Sequence, residues 1–356
     1  MSEVTAVATA PKPSSKTATP NRRVLIVALF LLLAGLSTAS IMLGSVVITV
    51  ADAWASVTGS WLGNAHPTAA VQRIVLELRL PRALLAMIVG AGLALVGALL
   101  QTVTRNDLAD PFLFGLSSGA AAGAVAVIAL IGDLLGRWTL PAAAFCGGLL
   151  AAASVLLLVA RSRGTGAERM VLAGLAVSFL FSAITNGLVF AGDQRAAHSV
   201  LFWTLGGLGL ARWDNLVIAL TGLVALVIYA HRRQDALDAL LAGDETAHSL
   251  GIDPQRVRTE GFVVAAFATA CFVALSGVIG FVGLMVPHLA RPLSGPLHRH
   301  LLPLAALIGA ALLLASDIAS RWLLAPQELP VGIVTASVGA VFVIVMLWHR
   351  PEQVND

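Results

Sequence analysis

The sequence predicts an all-α, polytopic membrane protein with ten transmembrane helices. Of its 356 residues, 58% are hydrophobic and only 12% charged, too little charge to cover a soluble surface of that size. Apolar runs of roughly bilayer length recur from Val24 to Trp348, and about 20 apolar residues let one helix cross the hydrocarbon core. A backbone in that core must satisfy its own hydrogen bonds, so these runs are helices.

The spans are expected at 23–50, 68–103, 112–131, 140–160, 167–191, 213–230, 257–276, 281–290, 301–324 and 331–349. Residues 1–22 form a polar tail rich in Ser, Thr, Pro and Ala, ending in an arginine pair, Arg22 and Arg23, that straddles the first span's start. The run that follows is too long for a signal-peptide core and precedes no polar domain, so it reads as an uncleaved first span. The second run exceeds a perpendicular crossing and must tilt or project. In the third, Gly115, Gly119 and Gly123 fall on one helix face, where another backbone can approach closely; tight packing is expected, a wide pathway being the alternative. Runs four to seven have ordinary length. The eighth is short and interrupted by glycine and proline between Ser276 and Pro292, as in a partly buried half-helix. The ninth and tenth complete a single permease-like domain over 23–350, and 351–356 form a second tail.

Positively charged loops stay in the cytoplasm. An inside N-terminus places fifteen of the 22 Lys and Arg on the inner side and seven outside, so both termini are expected to be cytoplasmic. Only two lysines occur, Lys12 and Lys16, both in the tail. A P-loop needs a lysine after a glycine-rich turn, so any ATPase driving this chain must be another polypeptide. Cys146 and Cys271 lie in apolar runs and read as small buried hydrophobes. Histidines 298 and 300 form no metal set with a carboxylate or cysteine in their loop and read as solvated.

Three constellations stand out. Arg79 and Arg82 precede eighteen apolar residues, Ala83–Leu100, about 27 Å of helix. Arg321 reaches the same outer side by similar arithmetic, with Asp317 four residues before it as an intrahelical partner. Arginines suit bidentate carboxylate recognition, so an acidic protein surface is the expected partner. On the inner side, 237–251 reads as two short amphipathic helices broken at Gly243, with Asp244 at the second start and Gly251 after its end. They could lie on the bilayer or fill a groove on a partner. The third, Gly280–Arg291, contains Pro287 and His288, expected to mark a bend and a polar contact. Midplane carboxylates, which an ion-coupled carrier would need, have no convincing position. The fifth span carries a polar stripe of Ser178, Ser182, Thr185 and Asn186.

These segments resemble the permease subunits of iron-chelate and vitamin B12 ABC importers, the FecCD family. The likeness rests on RLPR at 79–82, RNDLADP at 105–111, GLSSGA at 115–120, GDETAHSLG at 243–251, GFVGLMVPHLAR at 280–291 and ELPVGIVTASVGA at 328–340. It implies a type II ABC importer permease fold, a non-enzymatic subunit paired with a second, identical permease in a homodimer. Two ABC ATPases carrying ATP and Mg would bind below, and a periplasmic or lipid-anchored substrate-binding protein above, in a bacterial cytoplasmic (inner) membrane. No cofactor, metal or nucleic acid is implied for the chain itself. Arg79, Arg82 and Arg321 match the family's docking arginines. Gly243, Asp244, Glu245, Ala247, Leu250 and Gly251 match its coupling loop. Ser178, Ser182, Asn186, Thr335 and Ser337 would line the path. The implied cargo is an iron chelate, ferric siderophore or haem; the alternative is cobalamin, and an ion-coupled secondary transporter is the distant one. Two departures from the family pattern are Asp107, where Pro is usual, and Val341, where Pro would bend the last helix.

Overall fold

The computed structural model describes residues 22–44, 46–58, 67–132, 135–162, 166–192 and 194–348. The tails at 1–21 and 351–356, with both lysines, lie outside the described residues. In chain order the helices are α1 (Arg22–Met42), α2 (Val50–Thr58), α3 (Ala69–Thr104), α4 (Leu116–Ala126), α5 (Thr139–Arg161), α6 (Ala167–Ala191) and α7 (Gln194–Thr204). They continue as α8 (Leu216–Leu241), α9 (Asp244–Ser249), α10 (Pro254–Ser276), α11 (Val282–Ser294), α12 (His298–Trp322) and α13 (Val331–Trp348). Among the described residues, eight are long and apolar enough to cross a membrane. The third and eighth expected spans are the shorter helices α4 and α11.

Helix α3 is the axis of the bundle, packed by α8, α10, α11 and α12 and buried almost continuously from Val89 to Thr104. Glycines set its neighbours' distances. A Cβ at Gly90 would strike the backbone of Gly309 on α12, and one at Gly97 the backbone of Gly283 on α11. The α4 glycines do the same: Gly119 meets Gly147, and Gly123 meets Ala143, both on α5. Within lipid such backbone approach supplies the van der Waals contact that holds helices together, so tight packing is what this run does. The Gln101 side-chain amide donates to the carbonyls of Gly283 and Leu284 at 3.3 and 3.4 Å. Helix α11 therefore begins inside the bundle, at the height of Gly97, as a half-helix.

Several expectations are corrected. The first span ends at Met42 rather than 50, because its last carbonyls are captured by arginines described below. Helix α7 was not expected: it is a short segment of mixed polarity that buries Val200 and Trp203. The first of the two expected inner helices is the end of α8, which runs on to Leu241 because no glycine or proline occurs between Gly222 and Gly243. Cys271 is buried as expected, but Cys146 is exposed on the flank of α5. His298 is not solvated. Its ring is fully buried, with Nδ1 2.6 Å from Asp238 of α8 and Nε2 2.8 Å from Thr102 of α3; the carboxylate came from a different helix, not from the loop. His288 does make a local polar contact, through Nδ1 to the Leu284 carbonyl at 2.8 Å, one residue after Pro287 within α11. Helix α13 runs unbroken past Val341, as expected without a proline there.

Candidate functional site

One end of the bundle carries a charged cluster built on α3 and α12. Asp317, fully buried, receives the Nε of Arg82 at 2.8 Å and the Nε of Arg321, one turn along its own helix, at 3.0 Å. The second arm of Arg82 reaches Glu328 at 2.8 Å, and that carboxylate is largely exposed. Arg82 thus stands between a buried acid and a surface acid. Arg79 and Arg321 turn the other way. Arg79 donates to the carbonyls of Ile41, Met42 and Val46, and Arg321 to those of Ser40 and Leu43 and to the Ser40 hydroxyl. The last carbonyls of a helix lack intrahelical donors and carry partial negative charge, so two guanidiniums cap the α1 terminus. Gly44 leaves room for the Arg79 guanidinium there: a Cβ would stand 2.7 Å from it, and the side chain would have to shift. The three arginines, with Gly44, Leu208 and Glu328, border a cavity of about 310 Å³.

At the opposite end, α9 follows Gly243, whose φ of 119° suits glycine alone. Arg258 of α10, nearly buried, holds Asp244 through two hydrogen bonds, at 2.9 and 2.6 Å, and Arg105 lies 4.0 Å from the same carboxylate. The Arg258 hydrogen bond is the main reason that the Asp244 carboxyl is held below the usual carboxylate range. Ala247 is fully enclosed by its own chain, and its carbonyl accepts the Ile252 amide at 2.9 Å. Glu245, His248 and Leu250 point outward, and Gly251 closes the helix with φ 75°.

Between the ends lies a cavity of about 610 Å³, almost wholly apolar, walled by Leu108, Phe112, Phe281, Leu284 and Ser337. Phe281 adopts φ 68°, a left-handed conformation costly for a bulky residue, and its ring packs where a Cβ on Gly339 would sit. Of the five expected lining residues, Ser337 borders this cavity. Ser178 touches its wall through the Phe112 carbonyl at 3.3 Å and bonds Ser118 at 3.1 Å. Ser182 and Asn186 lie along the same flank of α6. Thr335 is buried and donates to the Gly332 carbonyl at 3.2 Å. The same cavity is bordered by Asp110, which sequence reasoning missed. Burial pushes its carboxyl up to about 6, although the Phe112 amide bonds it at 2.9 Å. Its position inside the quoted RNDLADP motif was the available signal.

A lipid-length helical bundle, with an apolar cavity between two differently charged ends, defines a membrane-embedded transport subunit. Comparison with known proteins names the family: the chain belongs to the FecCD transport family, which matches residues 30–349. It is 42% identical over 281 residues to the cobalamin import system permease BtuC of Halobacterium salinarum, covering 78% of this chain and 74% of that one. It is 35% identical over 334 residues to the hemin transport system permease HmuU of Yersinia pestis, covering 93% and 97%. A solved inward-facing metal-chelate type ABC transporter superposes with a TM-score of 0.77 at 29% identity, over 92% of this chain and all of that one. The chain is thus an ABC importer permease, an integral membrane subunit that does not itself hydrolyse ATP. Such a permease works as a dimer with ATPase subunits and a substrate-binding protein.

Proposed function

We propose that this chain, as a homodimer in a bacterial cytoplasmic membrane with both termini inside, carries an iron chelate, a ferric siderophore or haem. The observation that carries this reading is the pairing of opposite devices at the two ends of α3. At one end Arg82 offers a partly exposed guanidinium for an acidic binding protein, while Arg79 and Arg321 hold the α1 terminus beneath it. At the other, Glu245 and Leu250 present the outer face of α9 to an ATPase, with Ala247 as its seat and Gly243, Asp244 and Gly251 setting its ends. Closure of the ATPases moves α9, and the helices alternate between outward- and inward-facing arrangements. Ser178, Ser182, Asn186 and Ser337 face the path, and Thr335 supports it from within α13.

The extent of the likeness to HmuU favours an iron-chelate cargo; the identity to BtuC favours cobalamin as the second reading. The deciding experiment reconstitutes the chain with its ATPase and binding protein in proteoliposomes and compares ATP-driven uptake of ferric siderophore, haem and cobalamin. Uptake of cobalamin alone overturns the iron reading. Arg82→Glu should abolish docking of the binding protein, and unchanged docking removes Arg82 from the interface.

A further inference from the structure

A groove of about 720 Å³ runs between α8 and α10, away from the charged clusters and the cavity already described. Its walls change character along their length. Ala225, Ile228, Val263 and Val264 make one half aliphatic; Arg232, Arg233, Thr259 and Glu260 make the other half polar. The outward flank of α8 repeats the change, with Val217, Leu220, Val224, Val227 and Ile228 exposed before His231 and Arg232. Exposed aliphatic side chains on a spanning helix belong in hydrocarbon, so the groove crosses the level where hydrocarbon gives way to headgroups.

The charges at that level do not cancel. Glu260 is held by Arg233 at 2.8 and 3.0 Å and by Arg256 at 2.8 Å. Arg232 has no hydrogen bond or ion pair among the described residues. Arg256 lies outside the groove and is balanced by Asp253 as well as Glu260. Arg233 and Glu260 offset each other at the mouth, and Arg232 leaves one positive charge there. Asp235, three residues beyond Arg232, does not line the groove. Guanidiniums bind phosphate through paired N–H groups, and basic pockets between spanning helices on the cytoplasmic side suit anionic headgroups. We propose that this groove is a binding site for one anionic phospholipid of the cytoplasmic leaflet, its phosphate on Arg232 and Arg233 and an acyl chain against Ile228, Val263 and Val264. The leaflet rests on the orientation proposed above; the lipid binding itself does not, so the two can fail separately.

Native mass spectrometry of the purified full-length chain, exchanged against phosphatidylglycerol or phosphatidylcholine of matched acyl chains, tests it. The wild-type chain should retain phosphatidylglycerol in preference. Arg232→Gln, which breaks no contact, should lower that preference about fivefold, the worth of one juxtamembrane arginine. Arg161→Gln, at the end of α5, should leave it unchanged. Equal retention of the two lipids by the wild type overturns the proposal. So does an unchanged preference in Arg232→Gln, or an equal loss in Arg161→Gln, which would assign the effect to diffuse charge. Displacement of the lipid on assembly with the ATPase subunits would assign the groove to a protein contact and likewise overturn it.

Discussion

Arg258 ties Asp244 to the axis of the bundle: its two terminal nitrogens hold the Asp244 carboxylate while its Nε donates to the Val103 carbonyl at 3.0 Å. Val103 lies in the last turn of α3, and the chain leaving α3 supplies Leu108 and Phe112 to the cavity wall. A pull on α9 is therefore passed by one side chain to the segment that shapes the cavity. Arg258→Gln should keep basal ATP hydrolysis by the assembled transporter but lower cargo moved per ATP, measured as the ratio of the two rates in proteoliposomes. Local stability should fall by about 1.5 kcal/mol, the lower end for charged hydrogen bonds because Asp244 is part-exposed. The sign with pH follows from the depressed Asp244 carboxyl. Its contribution is complete above the ordinary carboxylate value and fades as pH falls through the lowered one, so wild type and Asp244→Asn should converge only in acid.

Asp317 is the shared counter-charge of Arg82 and Arg321. Asp317→Asn leaves two guanidiniums around a neutral amide in a buried site, and breaking a buried pair in this way costs about 3–5 kcal/mol. The variant should melt well below the wild type in detergent. Because Arg321 also anchors Ser40 and Leu43, limited proteolysis should cut first near the end of α1.

Glu328 already occupies the outward arm of Arg82. A carboxylate arriving from a binding protein must displace it. Glu328→Gln should therefore tighten docking and steepen its dependence on salt, read as dissociation constants at two ionic strengths. Weaker docking would show that Glu328 positions Arg82 rather than competing for it.

The spans were legible because hydropathy and length are one-dimensional properties, and the rise of a helix was enough to bring Arg82 and Arg321 to one end. What remained hidden depends on which face of a helix meets which neighbour. Periodicity shows that Arg79 is at the right height, not that it turns toward the carbonyls of α1. The short helix at Asp244 follows from its glycines, yet the inward direction of Ala247 does not. Helix α7 escaped because its longest apolar run, Val200–Trp203, is far too short to cross a membrane, and the Asp238 partner of His298 lies sixty residues away on another helix.

Glycine at the crossing of α3 and α11 gives a prediction about assembly. Gly97→Val places side-chain carbon into the Gly283 backbone, forcing the helices apart and stretching the bonds from Gln101. Overpacking of this kind costs about 1–3 kcal/mol or more, visible as a lowered melting temperature. Gly35→Ala on α1 has open space around it and should be neutral or gain slightly from the better helix propensity of alanine.

Asp110 offers a test by pH. Its folded carboxyl is raised to about 6 by burial, so folding favours the protonated form. The group exerts no penalty below its ordinary value near 3.9, and the full penalty is present above about 6. A carboxyl raised to about 6 corresponds to a penalty of roughly 3 kcal/mol. Asp110→Asn keeps an acceptor for the Phe112 amide but cannot ionise. Its melting temperature should exceed that of the wild type at pH 7.5, and the gap should close as pH falls from about 6 to about 4. A constant gap across that range would show that Asp110 carries its charge without cost at the cavity wall.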